Sequence, residues 1–386
     1  MKKIPFPIVH TGFLGVKYKL SVLRALTGKL ETVAKGHNLI LDAGLDMLAT
    51  NLTANLTRYC HVGTGTGVFQ RDSGTTTVSR AGTTLTASGA YFEANDVGRL
   101  FKFDSGEEVY INAFTSTTEV ETVDSGTIAA DEGTMWYVDR TQLDAETSRT
   151  SSYRTDSGDN ETTLSAGVLN YKRTHSFSAV GSNVTYNEIG WGPSNSTALY
   201  NGSIITGGVS LLTGDILIVE SNLELVQSPQ TPTAQSDIGS GGFDTTGDIQ
   251  IESTGLIDIS SSGSAENSSF KGSMEPSLNG SGTSNRTLSI SSTAQAFTTY
   301  GQDVALGSDT RKVYANSTYN NGDHFIDKSA TYSISEGNGT INTICLMDNV
   351  SSYPTLRVLL DNPQTKLSSE TFALGFRLSW GRVLSN

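Results

Sequence analysis

The feature that most constrains this chain is an internal repeat that keeps its register without a gap. The segment RTHSFSAVGSNVTYNEIGW begins at Arg173, and the segment KSATYSISEGNGTINTICL begins at Lys328, 155 positions later. Identical or similar residues recur at this spacing: Asn183 with Asn338, Thr185 with Thr340, Asn187 with Asn342, Ile189 with Ile344, Phe177 with Tyr332, Leu212 with Leu367, Asp215 with Glu370, and Leu223 with Leu378. A match that holds its register this far indicates a duplicated domain.

The repeat unit is predicted to be an antiparallel β structure. The chain is rich in Ser, Thr, Asn and Gly but has only 8 prolines, a composition that favours short strands and many turns over long helices. Apolar residues alternate, as at Leu374, Phe376 and Leu378, which places them on one face of a strand. We therefore expect an all-β protein with two tandem antiparallel β-sandwiches of the jelly-roll type.

A change of texture after the first strands predicts an insertion in the first copy. Short apolar runs are separated by Asp-Ser-Gly turns at Asp72, Asp104 and Asp124, which is typical of a small, barrel-like β module. Its ends, near Gly67 and Asp144, should lie close together, as insertion into a loop requires. The predicted layout is a first sandwich at 1–67 and 145–227, the inserted module at 68–144, a linker at 228–236, and a second sandwich at 237–386.

Four local elements can also be predicted. Residues 12–33 alternate like a hairpin that turns at Thr27-Gly28. Asp42 can cap a short helix near 42–52 with Leu45 and Leu48 on its apolar face. The segment RYCHVGTGTG is typical of a buried strand that enters a glycine-rich loop. In the second copy, Ile249 and Ile251, then Ile257 and Ile259, indicate a hairpin around Ser253-Thr254-Gly255.

Composition narrows the classes of partner. The formal charge is −13 and no polybasic stretch occurs, which argues against nucleic-acid binding because phosphate contacts need Lys and Arg. No apolar run approaches the ~18 residues that suggest a membrane helix, and Pro5, Pro7 and His10 interrupt any signal-peptide hydrophobic region. Cys60 and Cys345 fall in different copies, so we expect two thiols packed as small hydrophobic groups.

Motifs that carry chemistry are weak. The five histidines are scattered without metal-ligand spacing, and Cys60 and His61 are adjacent, so they point to opposite faces of a strand. The GTGTG segment at 63–67 lacks the spacing and lysine of nucleotide loops, which favours a turn at a strand end. Asp-Ser-Gly at 156–158 is one of four such turns, and the Asp/Asn-rich loop around it has no EF-hand spacing. We predict no enzymatic activity, cofactor or metal, although a glycosidase carboxylate pair stays open.

Aromatic residues supply the candidate interaction surface. Trp136, Tyr137, Tyr91 and Phe92 lie in the predicted insertion, where exposed rings could stack on sugars or dock against a protein. Trp191 and Trp380 could also contribute if they were exposed. Both lie in repeat strands, however, where packing in a core is the commoner fate.

Several segments resemble the virion structural proteins of tailed bacteriophages. The opening GFLGVKYKLSVLRALTGKLETVAKGHNLILDAGLDMLA, followed by VGTG, is similar to the start of phage tail-associated proteins. The insert TLTASGAYFEANDVGRLFKF is similar to small β modules of tail and fibre proteins, and YNEIGWG to the closing strands of such domains. The second copy departs from this pattern, since NTICLMD stands where NEIGWGP stood.

The resemblance implies a non-enzymatic component of the tail or collar region. It would be assembled in the bacterial host cytoplasm and found in the virion as a symmetric oligomer. Its partners would be other virion proteins (tail, portal/adaptor or fibre) and possible host-surface glycans, with neither nucleic acid nor membrane insertion. The alternatives are a capsid decoration protein and a glycan-binding adhesin or carbohydrate-active tail protein.

Overall fold

The computed structural model is nearly all β, with 61% of residues in strands and 4% in helix. It describes residues 8–50, 57–154, 156, 160–165, 168–228, 233–235, 247–251, 287–292, 309–316, 319–347, 354–369 and 371–382. Its antiparallel sheets are open and consistent with a sandwich-type fold, which confirms the predicted fold class. The predicted turn around Ser253-Thr254-Gly255, the following Ile257 and Ile259, and most of the segment 237–300 lie outside the described residues.

The elements follow one another in a simple order along the chain. The first copy contains β1 (Ile8–Leu23), β2 (Leu30–Ile40), α1 (Asp42–Thr50), β3 (Tyr59–Gly63), β10 (Glu146–Thr150), β11 (Asn160–Ser165), β12 (Val168–Ser176), β13 (Val184–Gly192), β14 (Asn201–Leu211) and β15 (Ile216–Ser228). The insertion contains β4 (Gln70–Asp72), β5 (Val78–Ala87), the 3-10 helix Ala94–Asp96, β6 (Leu100–Phe103), β7 (Glu108–Ser116), β8 (Glu119–Asp131) and β9 (Gly133–Trp136). The remaining strands are β16 (Thr233–Gln235), β17 (Gly247–Ile251), β18 (Thr287–Ser291), β19 (Asp309–Val313), β20 (Ala315–Asn316), β21 (Phe325–Tyr332), β22 (Gly339–Met347), β23 (Pro354–Lys366) and β24 (Phe372–Arg382).

The first copy is a sandwich whose two halves are joined by β2. Strand β2 pairs with β1 up to Asn38, and then Leu39 and Ile40 pair with β14. A strand that changes sheets in this way makes the corner of a sandwich. The predicted hairpin is confirmed, since β1 and β2 pair around a turn in which Gly28 has a φ of 64°. The short helix is also confirmed as α1, and its residue Leu45 is buried.

The two copies have the same strand pairing at the spacing found in the sequence. The pair Thr185–Ser210 of β13 and β14 becomes Thr340–Thr365 of β22 and β23 when 155 is added to both numbers. The same shift converts the β12–β15 ladder into the β21–β24 ladder. Even the irregularity recurs, because both β13 and β22 shift register after their third residue.

The recurring asparagines have the same structural role in both copies. Asn187 and Asn342 lie at the shifted register of β13 and β22. The Asn187 side chain donates to the carbonyl of Thr64, just after β3, and Asn342 donates to the carbonyl of Ser292, just after β18. Because a bulge leaves one residue outside the ladder, an amide side chain can tie it to the next strand. Ile189 and Ile344 are both buried in the core.

Strand β1 is shared by both copies. It pairs antiparallel with β15 over Thr11–Leu23 and parallel with β24 over Ile8–Leu14. Since β15 and β24 are equivalent strands, they run in opposite directions on the two sides of β1. The two copies therefore lie side by side and inverted, and both contribute strands to one twelve-stranded sheet.

The core continues across both copies. One cluster of buried apolar residues joins side chains of the first copy, such as Leu20 and Trp191, to side chains of the second, such as Tyr332 and Phe372. The second copy closes its sandwich with a separate six-stranded sheet in the order β16-β17-β23-β22-β18-β19. The hydroxyl of Tyr332 donates to the carbonyl of Leu288 at 2.7 Å, which ties the two layers together.

The inserted residues form their own sheet and core. Their six strands have the order β4-β9-β6-β7-β8-β5, so the sheet remains open rather than closing into a barrel. Gly67 lies against Asp144, since a Cβ at Gly67 would be 1.5 Å from a carboxylate oxygen of Asp144, and the ends of the insertion therefore meet as predicted. The predicted turn at Asp124 is wrong, because Asp124 lies inside β8 where the register with β5 shifts.

Candidate interaction surfaces

A buried polar cluster recurs in both copies. In the first, Glu146 lies 3.2 Å from Nδ1 of the buried His61 and 2.6 Å from Nε of Arg149. Burial lowers the pKa of His61, so the ring is neutral at pH 7. In the second copy, Asp309 lies on β19, the strand that corresponds to β10, and accepts from Ser289 at 2.8 Å and from Arg311 at 2.6 Å. An acid and an arginine between the same strands of each copy indicate a role in holding β3 to β10 and β18 to β19.

The glycine-rich loop is fitted around two carboxylates. A Cβ at Gly65 would lie 1.8 Å from Oε1 of Glu188, so this position cannot carry a side chain without displacing the carboxylate. Glu188 is fully buried and accepts the backbone N–H groups of Asp144 at 2.7 Å and Ala145 at 3.2 Å. The loop thus fixes the point where the insertion returns to the sandwich. It follows directly on β3, as predicted, but residues 64–68 form an irregular segment rather than a turn.

A groove opens beside this junction. It has a volume of about 580 Å³, and its charged lining includes Arg99, Asp139, Arg140 and Asp144. Arg99 lies 3.6 Å from Asp139, and Arg140 forms an ion pair with Asp144. Asp139 and Asp144 are nearly half exposed, whereas both arginines are mostly buried. The groove therefore offers carboxylate edges to solvent above a floor of guanidinium groups.

The predicted aromatic surface is wrong. Phe92, Trp136 and Tyr137 are buried and Tyr91 is partly buried. Phe92, Tyr137 and Tyr91 pack in the small core of the insertion, whereas Trp136 packs against Leu39 and Leu199 of the sandwich. Trp191 and Trp380 are buried too, as expected for repeat strands.

The rings of Tyr91 and Tyr137 also contact a network of ion pairs in the insertion. Asp96, fully buried, accepts from Arg71 and from Arg99 at 2.8 Å. The Arg99 guanidinium lies 3.6 Å from the centre of the Tyr137 ring, and that of Arg71 lies 4.8 Å from the centre of the Tyr91 ring. The tyrosines thus cover cations that pair with a buried carboxylate, so they stabilise the insertion.

Exposed leucine and isoleucine side chains gather at two places. Among the described residues, every large exposed apolar side chain that is not a valine belongs to one of two groups of turns. We call the first group, formed by the β1–β2 and β14–β15 turns, the first tip; it carries Leu26, Leu30 and Leu212, which are 89%, 56% and 49% exposed. The second tip, formed by the β21–β22 and β23–β24 turns, carries Ile334 and Leu367, both 54% exposed. The repeat aligned Leu212 with Leu367, but the sequence analysis did not predict that they are exposed. Their positions in turns next to strands could have suggested it.

Each tip is held by side chains of the repeat. At the first tip, Asp215 accepts from the N–H groups of Ala25 and Leu212, at 2.8 and 3.0 Å. Asn183 accepts from the N–H of Thr213 at 3.0 Å. At the second tip, Asn338, the equivalent of Asn183, donates to the carbonyl of Ile334 and accepts from Lys366, at 2.9 and 2.7 Å. The turns that carry the exposed apolar residues are therefore fixed.

The tips lie at opposite ends of the shared sheet. The first tip adjoins the start of β15, which pairs with the end of β1, at Leu23. The second tip adjoins the start of β24, which extends beyond the beginning of β1, at Ile8. At about 3.3 Å per residue, the separation along the strands is roughly 60 Å. Two apolar surfaces thus face in opposite directions. Only Leu212 and Leu367 are equivalent at the spacing of 155, because the first tip uses the β1–β2 turn where the second uses the β21–β22 turn.

A joint between the copies fixes their orientation. The indole N–H of Trp380 donates to the carbonyl of Leu45 in α1 at 2.8 Å. Asp46 of α1 accepts from the hydroxyl of Tyr319 and from the N–H of Gly322. Arg382 pairs with Asp42 and contacts Tyr110 of the insertion at 3.2 Å. Helix, insertion and second copy therefore meet at one polar node.

Comparisons with known proteins identify no relative: no family model, curated protein or solved structure matches the chain. Within the described ranges, no group of three or more His, Cys, Asp or Glu residues is placed to hold a metal ion. The described helices are all too short or too polar to cross a membrane. Cys60 is a buried thiol without a disulfide.

Proposed function

We propose that this protein is a non-enzymatic structural component of a tailed phage particle, in the tail or collar region. The observation that carries the proposal is the inverted duplication, which places one apolar tip at each end of one continuous sheet. Such a chain can contact neighbours at pseudo-equivalent positions in a symmetric oligomer. The resemblance of its opening, insertion and closing strands to tail-associated proteins supports a place in a virion, with other virion proteins as partners.

The test is the presence and position of the protein in gradient-purified particles. Mass spectrometry should detect it there, and antibody labelled with gold should decorate the tail or collar. Label spread over the head would instead make it a capsid decoration protein. Its absence from purified particles would overturn the proposal.

The groove beside the insertion favours a second candidate, a glycan-binding protein. Exposed carboxylates above guanidinium groups are suited to hydrogen-bonding sugar hydroxyls, and the adjacent Gln142 adds an amide. Because Arg99 covers the Tyr137 ring, recognition would depend on hydrogen bonds rather than on stacking. Binding of purified protein to host polysaccharide that is lost in Asp139→Ala, and kept in a variant of exposed Asp124, would favour this candidate.

A further inference from the structure

We propose that the tips are homotypic docking sites: the first tip binds the first tip of another copy of this chain, and the second tip binds another second tip. The inference rests on the proposed structural role, and it names the partner as the chain itself. Each molecule would then be a bivalent connector that joins its neighbours end to end.

The apolar character of the tips supplies the driving force. Leu26, Leu30 and Leu212 expose about half or more of their surfaces at one tip, as Ile334 and Leu367 do at the other. Large apolar side chains that are exposed together on neighbouring turns are candidates for a contact site. Burial of leucine against leucine removes this surface from water on both partners.

The charges near the tips permit like surfaces to meet. At the first tip, Arg24 pairs with Glu31 at 2.8 Å and with Asp215 at 2.9 Å, and Lys29 balances the second carboxylate. At the second tip, Lys312 pairs with Glu336 at 2.7 Å. The chain as a whole has a charge of −13, so close approach elsewhere would bring like charges together. The nearly neutral tips are therefore the surfaces where two copies can approach at least cost.

The fixed turns lower the entropic cost of association. Asp215 and Asn183 at the first tip, and Asn338 at the second, bind the backbone that carries the exposed side chains. Docking thus orders few additional residues. A like-with-like contact has twofold symmetry, and because the two tips lie at opposite ends of the sheet, a molecule can form one such contact at each end. Contacts at both tips consequently generate a linear series of copies.

The experiment is sedimentation velocity of the purified chain over a range of concentrations. The wild type should form a series of species beyond the dimer. A first-tip variant, Leu26→Asp with Leu212→Asp, retains one tip and should stop at dimers, as should a second-tip variant, Ile334→Asp with Leu367→Asp. The variant with all four changes should remain monomeric.

Val123→Asp provides the matched control, because Val123 is 62% exposed on β8 of the insertion, away from both tips. It should associate like the wild type, and circular dichroism should show that every variant keeps its fold. A monomeric wild type, growth beyond dimers in a single-tip variant, or dimers that form only when the two single-tip variants are mixed would overturn the homotypic contact. A monomeric wild type found in purified particles would refute the tip contact alone, whereas a self-associating protein absent from particles would support the contact and refute the virion role.

Discussion

At the residue scale, buried polar groups are matched to the strands around them. Glu188 and Asp96 are fully buried, yet each accepts hydrogen bonds from groups brought to it by separate elements. His175 is different, because it is fully buried and burial lowers its pKa to about 3, with the charge of Arg173 acting in the same direction. The folded protein therefore holds this imidazole in its neutral form.

A pH-dependent loss of stability follows from His175. Its pKa is about 6.5 in the unfolded chain and about 3 in the folded protein, so the unfolded state binds a proton first as the pH falls. The stability that the buried, neutral His175 contributes is fully present above pH 6.5 and is lost progressively as the pH falls toward 3. Between pH 7 and pH 5 the free energy of unfolding should fall by about 2 kcal/mol on account of this group. Denaturant titrations of wild type and His175→Gln at the two pH values provide the measurement; equal pH dependence in both proteins would contradict the assignment.

At the scale of elements, the insertion is a unit with its own core. Phe101, Phe103 and Val120 pack with other inserted residues, whereas Leu100 and Trp136 pack against Leu39 and Leu199 of the sandwich. Gly67 and Asp144, at the two ends of the insertion, lie against each other. The insertion is therefore joined to the first copy by one small interface and by the node at Asp42.

The isolated segment 68–144 should fold alone. Its six strands pair only with one another, so removal of the sandwich leaves the ladder complete. Stability should be modest, a few kcal/mol at most, since a domain of this size buries a small core. Near-ultraviolet circular dichroism with a cooperative thermal transition would confirm independent folding. A spectrum without fixed aromatic signal would show that contacts such as that of Trp136 with the sandwich are required.

The elements could be predicted where the chain repeats itself or where the signal was local. Identity at a spacing of 155 located four strands of each copy, and alternation with Thr27-Gly28 located the first hairpin, because side-chain period and turn chemistry depend on near neighbours. Asp124 was mispredicted because pairing with β5 keeps an Asp-Ser-Gly sequence inside a ladder. The prediction of an exposed aromatic surface was wrong because the burial of Trp136 and Phe92 depends on strands distant in sequence. The pairing of β1 with β24 likewise has no local signature.

At the scale of the molecule, β1 and α1 make the second copy dependent on the first. Strand β24 has β21 on one side and β1 on the other, and Trp380 donates to the carbonyl of Leu45. The ring of Tyr319 stacks on the ring of Trp380, and its hydroxyl donates to Asp46 of α1. The second copy therefore lacks an edge strand and several hydrogen-bond partners when it stands alone.

The segment 233–386 expressed by itself should not reach the stability of the full chain. Its β24 would expose an open edge and apolar residues that now join a common core, conditions that favour aggregation. Differential scanning calorimetry should show the two joined copies of the full chain unfolding in one transition, and no transition of comparable temperature for the segment. A segment that unfolds cooperatively at the temperature of the full chain would contradict this dependence.

The inverted arrangement around β1 also determines how the molecule carries tension. A pull applied between its two ends acts along the strands, parallel to β1. The hydrogen bonds that join β1 to β15 and to β24 lie across that direction, so they are sheared together instead of opening one after another. Because β1 lies between the two copies, the load passes from one copy to the other through a folded sheet.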